Sequence, residues 1–87
     1  MITNAHYTID GTAVKIVPTG TGHRTAHIAA LGNTTVYLGG SDTVTSSNGY
    51  AYTKALGEHD VILGPLDELW AICANLQTET VTVMVVQ

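Results

Sequence analysis

Leu69-Trp70-Ala71-Ile72-Cys73-Ala74, then Asn75-Leu76-Gln77-Thr78, then Glu79-Thr80-Val81-Thr82-Val83-Met84-Val85-Val86 is the stretch whose reading decides the fold. Val81, Val83 and Val85 share one parity, and Thr80, Thr82 and Met84 share the other. A period of two with β-branched residues on both faces is a strand signal. The run before it is short, apolar and closed by Asn75. The two runs read as an antiparallel pair joined by a polar loop. The core is expected on them, with Val83 and Ile72 pointing into it.

The rest of the chain repeats the pattern. Residues 3 to 9 alternate and lead to Asp10-Gly11, and Ala13 to Val17 resumes as a strand. Asp-Gly between two such runs signals a hairpin. Pro18 to Gly22 is a loop, because proline and glycine end the strand. Thr25, His27 and Ala29 alternate with Ala26, Ile28 and Ala30. The run is short and closed by Gly32-Asn33, which favours a strand, with a helix over Thr25 to Leu31 as the alternative. Thr34 to Leu38 is a strand with Val36 and Leu38 on one face. Gly39 to Gly49 is the longest polar stretch, with Val44 placed to pin it and Asn48-Gly49 the natural site of positive φ. Tyr50 to Leu56 resumes ordered structure, His59 to Leu63 is a strand, and Leu66-Asp67-Glu68 is a candidate single helical turn. The reading is all-β: a small β-sandwich or barrel of seven to eight short, mainly antiparallel strands. Residues 1 to 87 form one domain, with 1 to 9 an N-terminal arm or an edge strand.

Composition narrows the function. Charged residues make up 11% of the chain and apolar ones 45%. A surface so poor in charge suits one that other chains cover, because interfaces are depleted in charge at their centres. Three basic residues against seven acidic give a net charge of −4. That argues against a nucleic-acid partner, which needs clustered Lys and Arg. No apolar run approaches the length of a membrane span, so no membrane partner is expected. Met1 to His6 lacks the basic start and apolar run of a signal peptide, so synthesis and folding in a cytoplasm are expected. Cys73 is the sole cysteine. Within an apolar strand it reads as a buried, inert thiol.

The residues that carry chemistry do not assemble into a known motif. His23 and His27 are four apart and share a face of either a strand or a helix. A zinc site needs two further ligands, and no Cys pair, no His-Glu-x-x-His motif and no clustered carboxylates are expected to supply them. His6, His23, His27 and His59 therefore read as surface or interface residues. Asp67 and Glu68 are adjacent and point apart, Asp42 reads as capping its own turn, and Gly39-Gly40 lacks the Lys of a phosphate loop. No catalytic residue, cofactor or metal is expected. Tyr50 and Tyr52 share a face and read as core, as anchors for a protein partner, or as a platform for a sugar.

One further pattern runs from Val36 onward. Val36-Tyr37-Leu38-Gly39-Gly40-Ser41-Asp42 is followed by Val44-Thr45 and Gly49-Tyr50. Asp67-Glu68-Leu69-Trp70-Ala71-Ile72 comes next and Thr80-Val81-Thr82-Val83 last. This resembles small all-β virion proteins of tailed bacteriophages, in particular capsid decoration or cement proteins. The resemblance covers about residues 36 to 86 and rests mainly on strand and turn residues. Thr43 is an extra residue within it, Ala51-Tyr52 replaces a proline-containing continuation, and Asn75-Leu76-Gln77 is poorer in glycine. The resemblance implies no catalytic residues. It implies a protein of the capsid exterior, made in the host cytoplasm, whose partners are the major capsid protein and itself. A homotrimer is the expected assembly. His6, Tyr7, Tyr50 and Tyr52 are the candidate interface. The alternative is a carbohydrate- or receptor-binding module of a tail or fibre, stacking on Tyr50, Tyr52 or Trp70.

Overall fold

The computed structural model describes residues 2–87. Eight strands follow in order: β1 (Ile2–Ile9), β2 (Val14–Val17), β3 (Arg24–Ala30), β4 (Val36–Gly39), β5 (Tyr50–Tyr52), β6 (His59–Leu63), β7 (Leu69–Cys73) and β8 (Glu79–Val86). A single 3-10 turn lies at Lys54–Leu56. The strands form two four-stranded sheets, β1-β8-β3-β6 (sheet A) and β2-β7-β4-β5 (sheet B), with every pairing antiparallel. The all-β reading holds, and the architecture is a sandwich. The segment open to a helical reading is strand β3: Arg24, Ala26, Ile28 and Ala30 are buried, and the residues between them are half-buried.

Alternation builds the core. Ile9, Ile16, Val17, Ala26, Ile28, Val36, Tyr52, Ala71 and Val81 are all but fully buried between the sheets. Cys73 joins them, and burial pushes its thiol pKa up, as suits an unreactive group. Two charged residues also point inward, at opposite ends of the sandwich. Arg24 at the start of β3 donates from Nη1 to the Pro18 carbonyl at 2.6 Å and from Nη2 to the Asp67 carbonyl at 2.8 Å. A Cβ on Gly20 would lie 2.8 Å from the guanidinium carbon, so glycine there lets the loop close over a buried cation. Glu79 at the start of β8 accepts from the amides of Gly32 (2.7 Å), Thr34 (2.9 Å) and Thr80 (3.0 Å). Its carboxylate fastens the arch that carries the chain from β3 to β4.

Only β4 and β5 are neighbours in both sequence and sheet; every other connection crosses between sheets. This overturns two expected hairpins. β7 and β8 are not paired: β7 lies between β2 and β4, and β8 between β1 and β3. Leu69, Ala71 and Cys73 face Val81 and Val83 through the core instead of lying beside them. β1 and β2 likewise fall in different sheets. Asp10 Oδ1 accepts from the Thr12 amide, and the Asp10 carbonyl accepts from the Cys73 amide, so Asp10-Gly11 turns the chain across the sandwich.

Smaller expectations are corrected in the same way. Ile72 has the wrong parity for the core and is half-buried on the outer face of sheet B. Asn48-Gly49 is not a positive-φ turn. Asn48 Oδ1 accepts from the Thr45 amide. Gly49 is needed for close approach, since a Cβ there would lie 2.7 Å from Tyr37 Cβ and 2.9 Å from Val44 Cγ2. Val44, 6% exposed, does pin that loop. Positive φ falls instead on Leu66 (68°), Leu76 (66°) and Gly57 (77°). Leu66 sits in a turn, so no helical turn forms before β7. Residues 2 to 9 are an edge strand in unbroken register with β8, with no free arm among them.

Candidate functional site

The outer face of sheet A gathers what chemistry the chain has. Pairing sets out its side chains in rows across four strands. One row is Ile2, Val86, Thr25 and Ile62; the next is Asn4, Met84, His27 and Asp60. A third begins His6, Thr82 and Ala29. Apart from half-buried Thr25, the first row is apolar and open: Ile62 is 80% exposed and Ile2 61%. Val86 and Met84 beside them are exposed as well.

The second row holds a cluster. His27 Nδ1 lies 2.6 Å from Asp60 Oδ1 and 3.1 Å from Glu58 Oε1, the latter reaching in from the turn before β6. Two carboxylates on one ring nitrogen favour the imidazolium. The hydrogen bond to Asp60 is the largest cause of a raised His27 pKa; partial burial opposes it, and Glu58 adds to it. The three ligand atoms lie within 4.8 Å of one another, so these are the residues that could hold a cation. His27 and Glu58 edge a shallow hollow of about 320 Å³, which Asn4, His6, Thr82 and Met84 also line. Glu58 and Asp60 were missed in the sequence. The signal lay in the pairing of β3 with β6, which sets Asp60 opposite His27. His23, the expected companion of His27, stands outside the cluster, just before β3.

The four expected interface residues do not converge. His6 is exposed on the outer face of sheet A, whereas Tyr7 turns inward and packs, half-buried, against the core. Tyr50 and Tyr52 lie on β5, in the other sheet. Tyr50 is 57% exposed and stacks on His59 at 5.2 Å and 17°. It edges an apolar recess with Leu38, Gly39, Val61 and Leu69. Tyr52 has no exposed surface, which removes it as an interface or sugar-stacking residue of the folded domain. Its hydroxyl lies 2.5 Å from the Gly57 carbonyl and accepts from the Ala30 amide at 3.3 Å, tying sheet B to sheet A. Trp70 is half-buried. Its Nε1–H donates to Glu68 Oε1 at 2.8 Å, and Lys15 Nζ sits 5.4 Å from the ring centre, over the surface a sugar would use. Glu68, held by Trp70, by Thr19 and by Lys15, has a lowered pKa.

Compared with known proteins, the chain matches no family model, no curated protein and no solved structure.

Proposed function

We propose that this is a non-enzymatic structural protein of a tailed-phage virion that attaches to the outside of the assembled capsid and stabilises it. The observation that carries the reading is the outer face of sheet A, where Ile2 on β1, Val86 and Met84 on β8, and Ile62 on β6 are all exposed, with Thr25 and His27 of β3 between the last two strands. Clustered exposed apolar side chains mark interaction surfaces. The His27–Asp60–Glu58 group gives this face a polar rim of the kind that fixes register and not affinity. The resemblance of residues 36 to 86 to decoration proteins points to the major capsid protein as partner, and the low charge of the chain agrees with a covered surface.

Binding to purified mature shells tests this. The protein should co-sediment with them and raise their melting temperature, and Ile62→Lys should abolish both effects while keeping its circular dichroism spectrum. Failure of the wild type to bind intact shells would end the reading. The receptor-binding alternative rests on Tyr50 and the apolar recess beside it. A glycan array giving binding that Tyr50→Ala removes would favour that alternative.

A further inference from the structure

We propose that two copies of this chain join through the free edge of β1, making one continuous eight-stranded sheet. A sandwich of this order has four open edges: β1 and β6 in sheet A, β2 and β5 in sheet B. Open edges are normally protected by brevity, charge, proline or a bulge. β5 has three residues. β2 has four, carries Lys15 and shifts register between Lys15 and Val17. β6 has five and carries Asp60. β1 has none of these devices. It is eight residues long, in unbroken register with β8, and Ile2 to Ile9 contain no Asp, Glu, Lys, Arg or Pro. In a chain of net charge −4, this is the one long edge at which two copies meet without like charges facing each other; β5 is also uncharged but has only three residues.

The seam beneath that edge is also unfilled. A groove of about 220 Å³ runs between the sheets, lined by Ala5 and Tyr7 of β1, Val83 and Val85 of β8, and Ile16 and Pro18 from the β2 side. A strand added to β1 would lay its inward side chains over this groove. β1 suits that role. Its odd-numbered residues point inward and its even-numbered ones outward. Antiparallel pairing sets like faces together only where the paired residue numbers have an even sum. A two-fold axis at Ala5 satisfies this: Thr3 then faces the second copy's Tyr7, and Asn4 its His6. A three-fold contact is heterologous and needs two different surface patches that fit each other; β1 pairs with itself, which gives a two-fold contact. The strand is about 26 Å long. Alone it covers less than the roughly 800 Å² per partner of a standard interface, so the dimer forms at high concentration.

Sedimentation velocity and positional cross-linking test this. The mass should rise from one chain to two between roughly 10 μM and 1 mM. Of Asn4→Cys, Ala5→Cys and His6→Cys, one and only one should form a disulfide dimer under mild oxidation, because a cysteine meets its own copy only at the axis. Ala5→Cys is the expected one. Leu76→Cys, at a tip that is 96% exposed, controls for random collision and should not cross-link. The double variant Asn4→Lys/His6→Lys, which sets lysines opposite lysines, should remain folded by circular dichroism and monomeric at every concentration. Ile62→Lys lies at the far edge of the same sheet and should dimerise as the wild type does. A wild type that stays monomeric to about 1 mM, cross-linking at none or at all three positions, or a dimer lost in Ile62→Lys and kept in the double lysine variant would each overturn the proposal. None of these measurements involves the capsid, so they stand apart from the test of shell binding.

Discussion

Single side chains at the margins of the sandwich set its pH response and close its ends. His27 faces Asp60 and Glu58, with His6 and Met84 lining the same hollow. Its pKa is raised in the fold, chiefly by the Asp60 hydrogen bond. The stabilisation this implies is fully present below the unfolded histidine value of about 6.5 and is lost as pH rises through the higher folded value. An NMR titration should give His27 a midpoint above 6.5, and Asp60→Asn should lower it. A wild-type midpoint at or below 6.5 would show that the two carboxylates do not hold the ring. Glu79 acts at the opposite pole of chemistry, as a buried acceptor. Glu79→Ala strands the amides of Gly32 and Thr34, and should cost about 2–3 kcal/mol by denaturant titration. A loss under about 0.5 kcal/mol would mean that water replaces the carboxylate.

Strand parity separates residues that look alike in sequence. Val83 is 3% exposed and sits in the core; Ile72 stands half-buried on the outer face of sheet B. Val83→Ala should cost about 2–3 kcal/mol, and Ile72→Ala about 1 kcal/mol or less. Equal costs would mean that the outer face of sheet B is as tightly packed as the core. The strands themselves were legible, because Val81, Val83 and Val85 or Ala26, Ile28 and Ala30 alternate wherever one face is buried. Their partners were not. Asp10-Gly11 and Asn75 to Thr78 are short and polar, which a hairpin and a sheet-crossing arch share. The difference lies in long-range bonds such as that from the Cys73 amide to the Asp10 carbonyl. The cluster on sheet A was hidden for the same reason. His27 and Asp60 are 33 residues apart and meet only through the β3–β6 register. Tyr50 and Tyr52 showed their shared parity, but not that one lies at the rim and the other beneath it.

Taken whole, the molecule is closed by its own last strand. β8 lies inside sheet A, paired with β1 on one side and β3 on the other. Neither β1 nor β3 meets the other without it, so sheet A forms in full only once β8 is in place. β1 is an edge, although its last residue, Ile9, is fully buried. The two termini are therefore unequal in a way that their equal strand lengths conceal. Removing residues 79 to 87 should abolish folding, because it takes Val81 and Val83 from the core, Glu79 from the β3–β4 arch and the shared partner from two strands. Removing residues 1 to 8 keeps Ile9 and leaves seven strands, so it should lower the melting temperature and leave a cooperative transition at low temperature. Circular dichroism melts of both truncations check this. The same topology slows assembly: with one sequential hairpin, nearly every pairing closes a long loop, so refolding should fall in the range of about milliseconds to seconds. A cooperative melt from the chain lacking 79 to 87 would show that sheet B and the remaining strands suffice, and that β8 is not the strand on which the fold closes.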